Sequence, residues 1–192
     1  GLDSGRSPPT IFTMTTPSNG VSSHAATTAA ATRSTSPAAA AAAPRPVSAG
    51  TPKTMRALVK HRAGPELELQ SDRAVPEVGP RDVLIRVIKA GICGTDRHIW
   101  EWDAWAAGRI PVGITTGHEF VGIIEKVGSA VTKYAPGLRV SAEGHITSWS
   151  DYNARTGNAH IARDTQILGV DRDGCFAEYV CVPEENVWPV HP

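Results

Sequence analysis

Between positions 92 and 119, in the stretch ICGTDRHIWEWDAWAAGRIPVGITTGHE, the chain gathers the side-chain types that a divalent zinc accepts. Cys93 sits in a glycine-flanked turn, Gly91-Ile92-Cys93-Gly94-Thr95-Asp96, and the stretch closes on Gly117-His118-Glu119. Thiolate, imidazole and carboxylate are all zinc ligands, and a catalytic zinc takes three protein ligands and keeps a fourth position open. Each piece also has an ordinary reading. A lone His-Glu pair is commonly a surface feature or a support for a ligand. Three tryptophans, Trp100, Trp102 and Trp105, lie between the two halves, and packing alone accounts for indoles clustered this way.

The elements that must hold these residues read as short strands. Residues 55–61 (MRALVKH) and 67–70 predict two strands around a turn at Gly64-Pro65. Residues 82–90 (DVLIRVIKA) give the clearest strand signal, β-branched and apolar except at Arg86 and Lys89. That strand delivers the chain to Cys93, where glycines on both sides permit a tight turn and close approach of a ligand. Residues 95–107 predict one short helix carrying the tryptophans. Residues 119–127, 138–143 and 175–182 predict further strands. With 15 prolines, 18 glycines and little helix, the fold class is mainly β, as a partly open barrel.

Composition narrows the rest. Lysine plus arginine and aspartate plus glutamate each number 19, so no net field draws the chain to nucleic acid or an anionic membrane. No run approaches the ~18 apolar residues of a membrane helix. Three cysteines, Cys93, Cys175 and Cys181, make a disulfide framework a poor expectation and a reducing compartment the better one. Residues 1–54 are Ala, Ser, Thr and Pro with too little apolar bulk to offset ordering entropy, and are expected to be a disordered tail. Asp3 is the tail's one acid, against Arg6, Arg33, Arg45 and Lys53. That bias fits an organelle transit peptide; an upstream leader on a cytoplasmic protein fits as well. The folded domain is expected over 55–192.

Taken together the motifs resemble the zinc-dependent medium-chain alcohol dehydrogenases. The carriers are the Cys93-Gly94-Thr95-Asp96 turn and Gly117-His118-Glu119-Phe120-Val121-Gly122. Trp102-Asp103-Ala104-Trp105, Glu143-Gly144-His145-Ile146-Thr147 and Gly174-Cys175-Phe176-Ala177-Glu178-Tyr179 narrow the resemblance to the L-threonine 3-dehydrogenase branch. The resemblance covers 55–192 and implies the GroES-like catalytic barrel of that family. It implies one catalytic zinc held by Cys93, His118 and Glu119, polarising a substrate hydroxyl and lowering its pKa. It implies hydride transfer to NAD, with threonine going to 2-amino-3-oxobutanoate. Thr95 and His98 are the implied hydroxyl-to-imidazole proton relay. Read without the family, Thr95 serves equally as a helix cap and His98 as a solvated side chain. Trp102, Trp105 and Glu143 are the implied substrate-pocket residues. A small-molecule alcohol is the implied partner, and a homo-oligomer is implied for the full-length enzyme.

Three features depart from the family pattern. Many relatives carry a second, structural zinc on a lobe with spacing Cys-x2-Cys-x2-Cys-x7-Cys, which falls here on Ser148, Asp151, Ala154 and Ala162. Such a site needs all its thiolates, so the structural zinc is expected to be absent and segment 147–165 loose. Ala104 replaces the glutamate usual in the threonine branch. No Gly-x-Gly-x-x-Gly follows a strand, so the NAD-binding Rossmann domain is expected outside these residues, and the chain alone to turn over poorly. The competing readings are a polyol or simple alcohol dehydrogenase domain, and a non-catalytic scaffold that at most binds zinc.

Overall fold

In the computed structural model, residues 50–191 are described; the expectations for the tail lie largely outside them. Strands β1 (Thr54–Val59) and β2 (Glu68–Ala74) pair antiparallel around the turn at Gly64-Pro65. β3 (Asp82–Ala90) follows; its first half, Val83 to Ile85, is buried on both faces and reads as continuously apolar, while Ile88 to Ala90 are exposed. Val83 and Ile85 enter one core with Phe120, Ile124, Val140, Leu168, Val180 and Val182. Leu84 turns the other way, against Met55, Tyr179 and Cys181.

Two helices come next rather than the single predicted one: α1 (Gly94–Glu101) and α2 (Ala104–Arg109). The break lies at Trp102, whose φ of 57° is left-handed, and at Asp103, whose carboxylate caps α2 through the Ala106 N–H. The helical pattern continues across 95–107, but an Asp that offers a new N-cap terminates the first helix in favour of a second. Ile99, Ala106, Ile110, Ile114 and Val170 form the core that seats both helices.

Beyond them, β4 (Phe120–Val127) pairs with β3, and β5 (Arg139–Ala142) pairs with β4. β6 (His145–Ile146), α3 (Tyr152–Arg155) and β7 (Gln166–Ile167) make a side lobe. β8 (Tyr179–Pro183) and β9 (Val187–Pro189) complete a five-stranded sheet in the order β8-β3-β4-β5-β9. The predicted strand over 175–182 starts only at Tyr179, because residues 176–178 bond sideways to β1 instead. Leu58 N–H donates to Phe176 O, and Glu178 N–H donates to Arg56 O. These bonds carry the sheet round toward β1 and give the partly open GroES-like barrel. No described helix is long and apolar enough to cross a membrane.

Segment 147–165, expected to be loose, carries hydrogen bonds of its own. Asp151 Oδ1 accepts the Asn153 N–H at 2.7 Å and the Ala154 N–H at 3.4 Å, while Oδ2 accepts the Arg163 N–H at 3.5 Å. One carboxylate thus joins the two arms of the lobe. Ala154 and Ala162 are buried, and the Thr147 and Thr165 hydroxyls meet at 3.1 Å.

Candidate metal centre

Cys93 stands where β3 hands the chain to α1, and it caps that helix. Its N–H donates to Asp96 Oδ2 at 2.8 Å, while its Sγ accepts the Thr95 N–H at 3.3 Å. This reciprocal cap uses a thiol where a hydroxyl is usual, and it places Thr95 inside the first turn rather than at the cap. The sulfur lies at a helix N-terminus, where unpaired N–H groups favour negative charge.

His118 reaches the same point from the segment leading into β4. Its Nε2 lies 3.1 Å from Cys93 Sγ. Its Nδ1 faces Asp96 Oδ1 at 3.8 Å, beyond hydrogen-bond length. Both of those atoms are buried without a hydrogen-bond partner, and buried polar groups left so are uncommon. Among the described residues, Cys93, Asp96 and His118 form a group with ligand-type atoms all within 4.8 Å of one another. Sequence reasoning passed over Asp96. Its signal was the acid three residues after the cysteine, the spacing of a capping box.

Glu119, the third expected ligand, lies outside that group. It is exposed, and its carboxylate leans over Gly91: a Cβ at Gly91 would stand 2.6 Å from Glu119 Oε2. Cys175 and Cys181 also lie outside that group. Burial, the largest cause for both, pushes the Cys175 and Cys181 thiols up to about 12, so both are neutral. Cys175 nonetheless sits just behind the centre, its Sγ 3.6 Å from Glu119 O.

The remaining expected residues surround the centre unevenly. His98 projects from α1 with Nδ1 2.6 Å from Asp103 Oδ2. Trp105 is exposed and meets His98 edge-on, while Trp102 is partly buried in the helix core beneath the Lys60 ammonium, 4.7 Å from the ring centroid. Lys60 is buried, and burial lowers its pKa, with Arg62 contributing. Its Nζ donates to Gly64 O and Glu66 O. Glu143 is exposed and accepts from His145, whose side chain is the main cause holding the Glu143 carboxyl below its usual range. Gly144 between them lies against His118, since a Cβ there would stand 3.6 Å from His118 O. Glu143, His145, Trp149 and Trp188 line a cavity of about 200 Å³. A larger open groove of about 910 Å³, with Met55, Arg73 and Tyr179 on its walls, contains none of the expected site residues.

Three comparisons bear on this geometry. Residues 79–192 match the model of the alcohol dehydrogenase GroES-like domain. The L-threonine 3-dehydrogenase of Rhizobium etli is 55% identical over 136 residues, 71% of this chain and 39% of that protein. That of Sinorhizobium medicae is 58% identical over 134 residues, 69% of this chain and 38% of that protein. The crystal structure of a zinc-binding dehydrogenase from Sinorhizobium meliloti bound to NADP is 34% identical, with a TM-score of 0.63, over 71% of this chain and 38% of that one. The chain therefore spans about two fifths of the length of these relatives.

Proposed function

The chain belongs to the alcohol dehydrogenase GroES-like domain family, and from that premise we propose that it is the catalytic portion of a zinc- and NAD-dependent dehydrogenase acting on L-threonine. The observation that carries this reading is the Cys93–His118 pair at 3.1 Å with a buried carboxylate oxygen, Asp96 Oδ1, left without a partner behind the imidazole. Those donors suit zinc: a thiolate and an imidazole nitrogen on one side, and an orienting acid on the other. Cys93 Sγ and His118 Nε2 are the proposed ligands. Asp96 is the proposed orienting group, because it faces Nδ1 and its other oxygen is already committed to the Cys93 N–H. Glu119 follows His118 directly and is the proposed third ligand, which requires its carboxylate to leave Gly91.

Zinc supplies Lewis acidity toward a substrate hydroxyl, and NAD accepts hydride. The chain's own residues do the rest. Thr95 and His98 are three apart on α1 and so share one helix face, which suits a hydroxyl-to-imidazole relay. His98 is half-exposed and can release a proton to solvent. Trp105 and Trp102 are proposed as apolar walls on the α2 side, and Glu143, next to the Gly144 that lies against His118, as the acid that meets a substrate ammonium. The threonine assignment rests on the curated relatives and on the Trp102-Asp103 and Glu143-Gly144-His145 words, with Ala104 exposed at the first position of α2. In the intact protein, NAD reduction should depend on L-threonine and be lost in Cys93→Ser. Equal rates with a plain secondary alcohol such as 2-butanol would overturn the threonine assignment, and full activity in Cys93→Ser would overturn the metal assignment.

A further inference from the structure

We propose that Asp103 is a positioning residue that holds His98 in one orientation and one tautomer, with the proton on Nδ1 and Nε2 free to accept. The proposal rests on the reading of His98 as the proton carrier. Its basis is how the Asp103 carboxylate divides its two oxygens. Oδ1 accepts the Ala106 N–H at 2.9 Å and caps α2, whereas Oδ2 lies 2.6 Å from His98 Nδ1. An ionised carboxylate can only accept, so the nitrogen facing it must donate. Asp103 is ionised at neutral pH, since the Ala106 N–H and then the His98 contacts hold its carboxyl below the usual range. A neutral imidazole with its proton fixed on Nδ1 presents a lone pair at Nε2, the form a base needs.

The surroundings make this a fixed mount. Asp103 follows the left-handed Trp102, whose N–H closes α1 on His98 O at 2.9 Å. The Trp102 ring is held from above by Lys60, which also ties down the turn through Gly64 O and Glu66 O. From α2, Trp105 meets the His98 ring edge-on, with centroids 6.2 Å apart and planes at 66°. The neighbouring charges on α1, Arg97 and Glu101, are paired with each other at 2.8 Å. A cap alone would not need a carboxylate, because serine or asparagine caps a helix as well as aspartate does. The second oxygen is what the imidazole uses.

That difference provides the test. Asp103→Ser keeps the cap on α2 but cannot reach His98. Nitrogen-15 spectra of the histidine rings, taken on this chain above the imidazole pKa, should show His98 protonated on Nδ1 in the wild type. They should show a mixture of tautomers in Asp103→Ser, with the Ala106 amide still protected. If the serine variant fails to fold, Asp103→Asn keeps the shape and is expected to move the proton toward Nε2. A wild-type ring protonated on Nε2, or an Nδ1 proton that survives in both variants, would overturn the proposal. In the intact protein, Asp103→Ser should lower kcat by roughly tenfold or more with KM unchanged, within the range that general acid–base catalysis contributes. An unchanged kcat in a variant whose tautomer has shifted would remove the role. The ring spectra need no substrate. A wild type inactive toward threonine would therefore refute the dehydrogenase reading and leave the tautomer result standing.

Discussion

A thiol reacts and binds metal as its thiolate, and the three cysteines differ in what their surroundings permit. Cys93 is partly exposed at the start of α1, while Cys175 and Cys181 are buried, their thiols pushed up to about 12. In protein stripped of metal by a chelator, iodoacetamide at pH 8 should therefore alkylate Cys93 first and the two buried thiols far more slowly. Peptide mass spectrometry checks this, and faster labelling of Cys175 would contradict it. Glycine matters at one junction. A Cβ on Gly174 would fall on Gly117 O and beside the Cα of Gly169, and Gly117 itself has a φ of 89°. This contact positions the residue before His118. Gly174→Ala should cost roughly 2–4 kcal/mol, as overpacking against backbone does, and a change in melting temperature of only a degree or two would refute it.

At the scale of elements, the strand words were legible because the buried stretches of β3 and β4 are runs of β-branched and other apolar residues, and composition marks them as strands. The helix was legible as a helix but not as two, since Trp102 adopts a left-handed φ that no propensity favours for a bulky residue. Asp96 and Asp103 were invisible as site residues for a related reason: each looks like an ordinary cap until the second oxygen is seen. The two-residue strands β6 and β7 carry no periodic signal at all. Closure of the barrel depends on β1, which meets residues 176–178 through backbone bonds and the Arg56–Glu178 pair at 2.9 Å. The Arg56 N–H, then the Arg56 guanidinium, hold the Glu178 carboxyl below its ordinary range. With the folded value depressed, this stabilisation is present above the ordinary carboxylate pKa and is lost as pH falls through the lowered one. Because the pair is well exposed, Glu178→Gln should cost under about 1 kcal/mol at neutral pH and remove part of the stability lost on acidification. Parallel acid-unfolding curves for the two proteins would contradict this.

For the molecule as a whole, the family resemblance carried the barrel, while the centre depends on contacts far apart in sequence that only folding produces. Cys93 arrives from β3, His118 from the entry to β4, and Gly144 from the entry to the lobe. Asp151 accepts backbone N–H groups within the lobe, and Cys93 and His118 are the proposed metal ligands. Zinc per chain, measured by elemental analysis on wild type and on Cys93→Ser, tests this most directly. The account predicts one zinc in the wild type and none in the variant. Two zincs, zinc retained by Cys93→Ser, or none in protein never exposed to a chelator would contradict it.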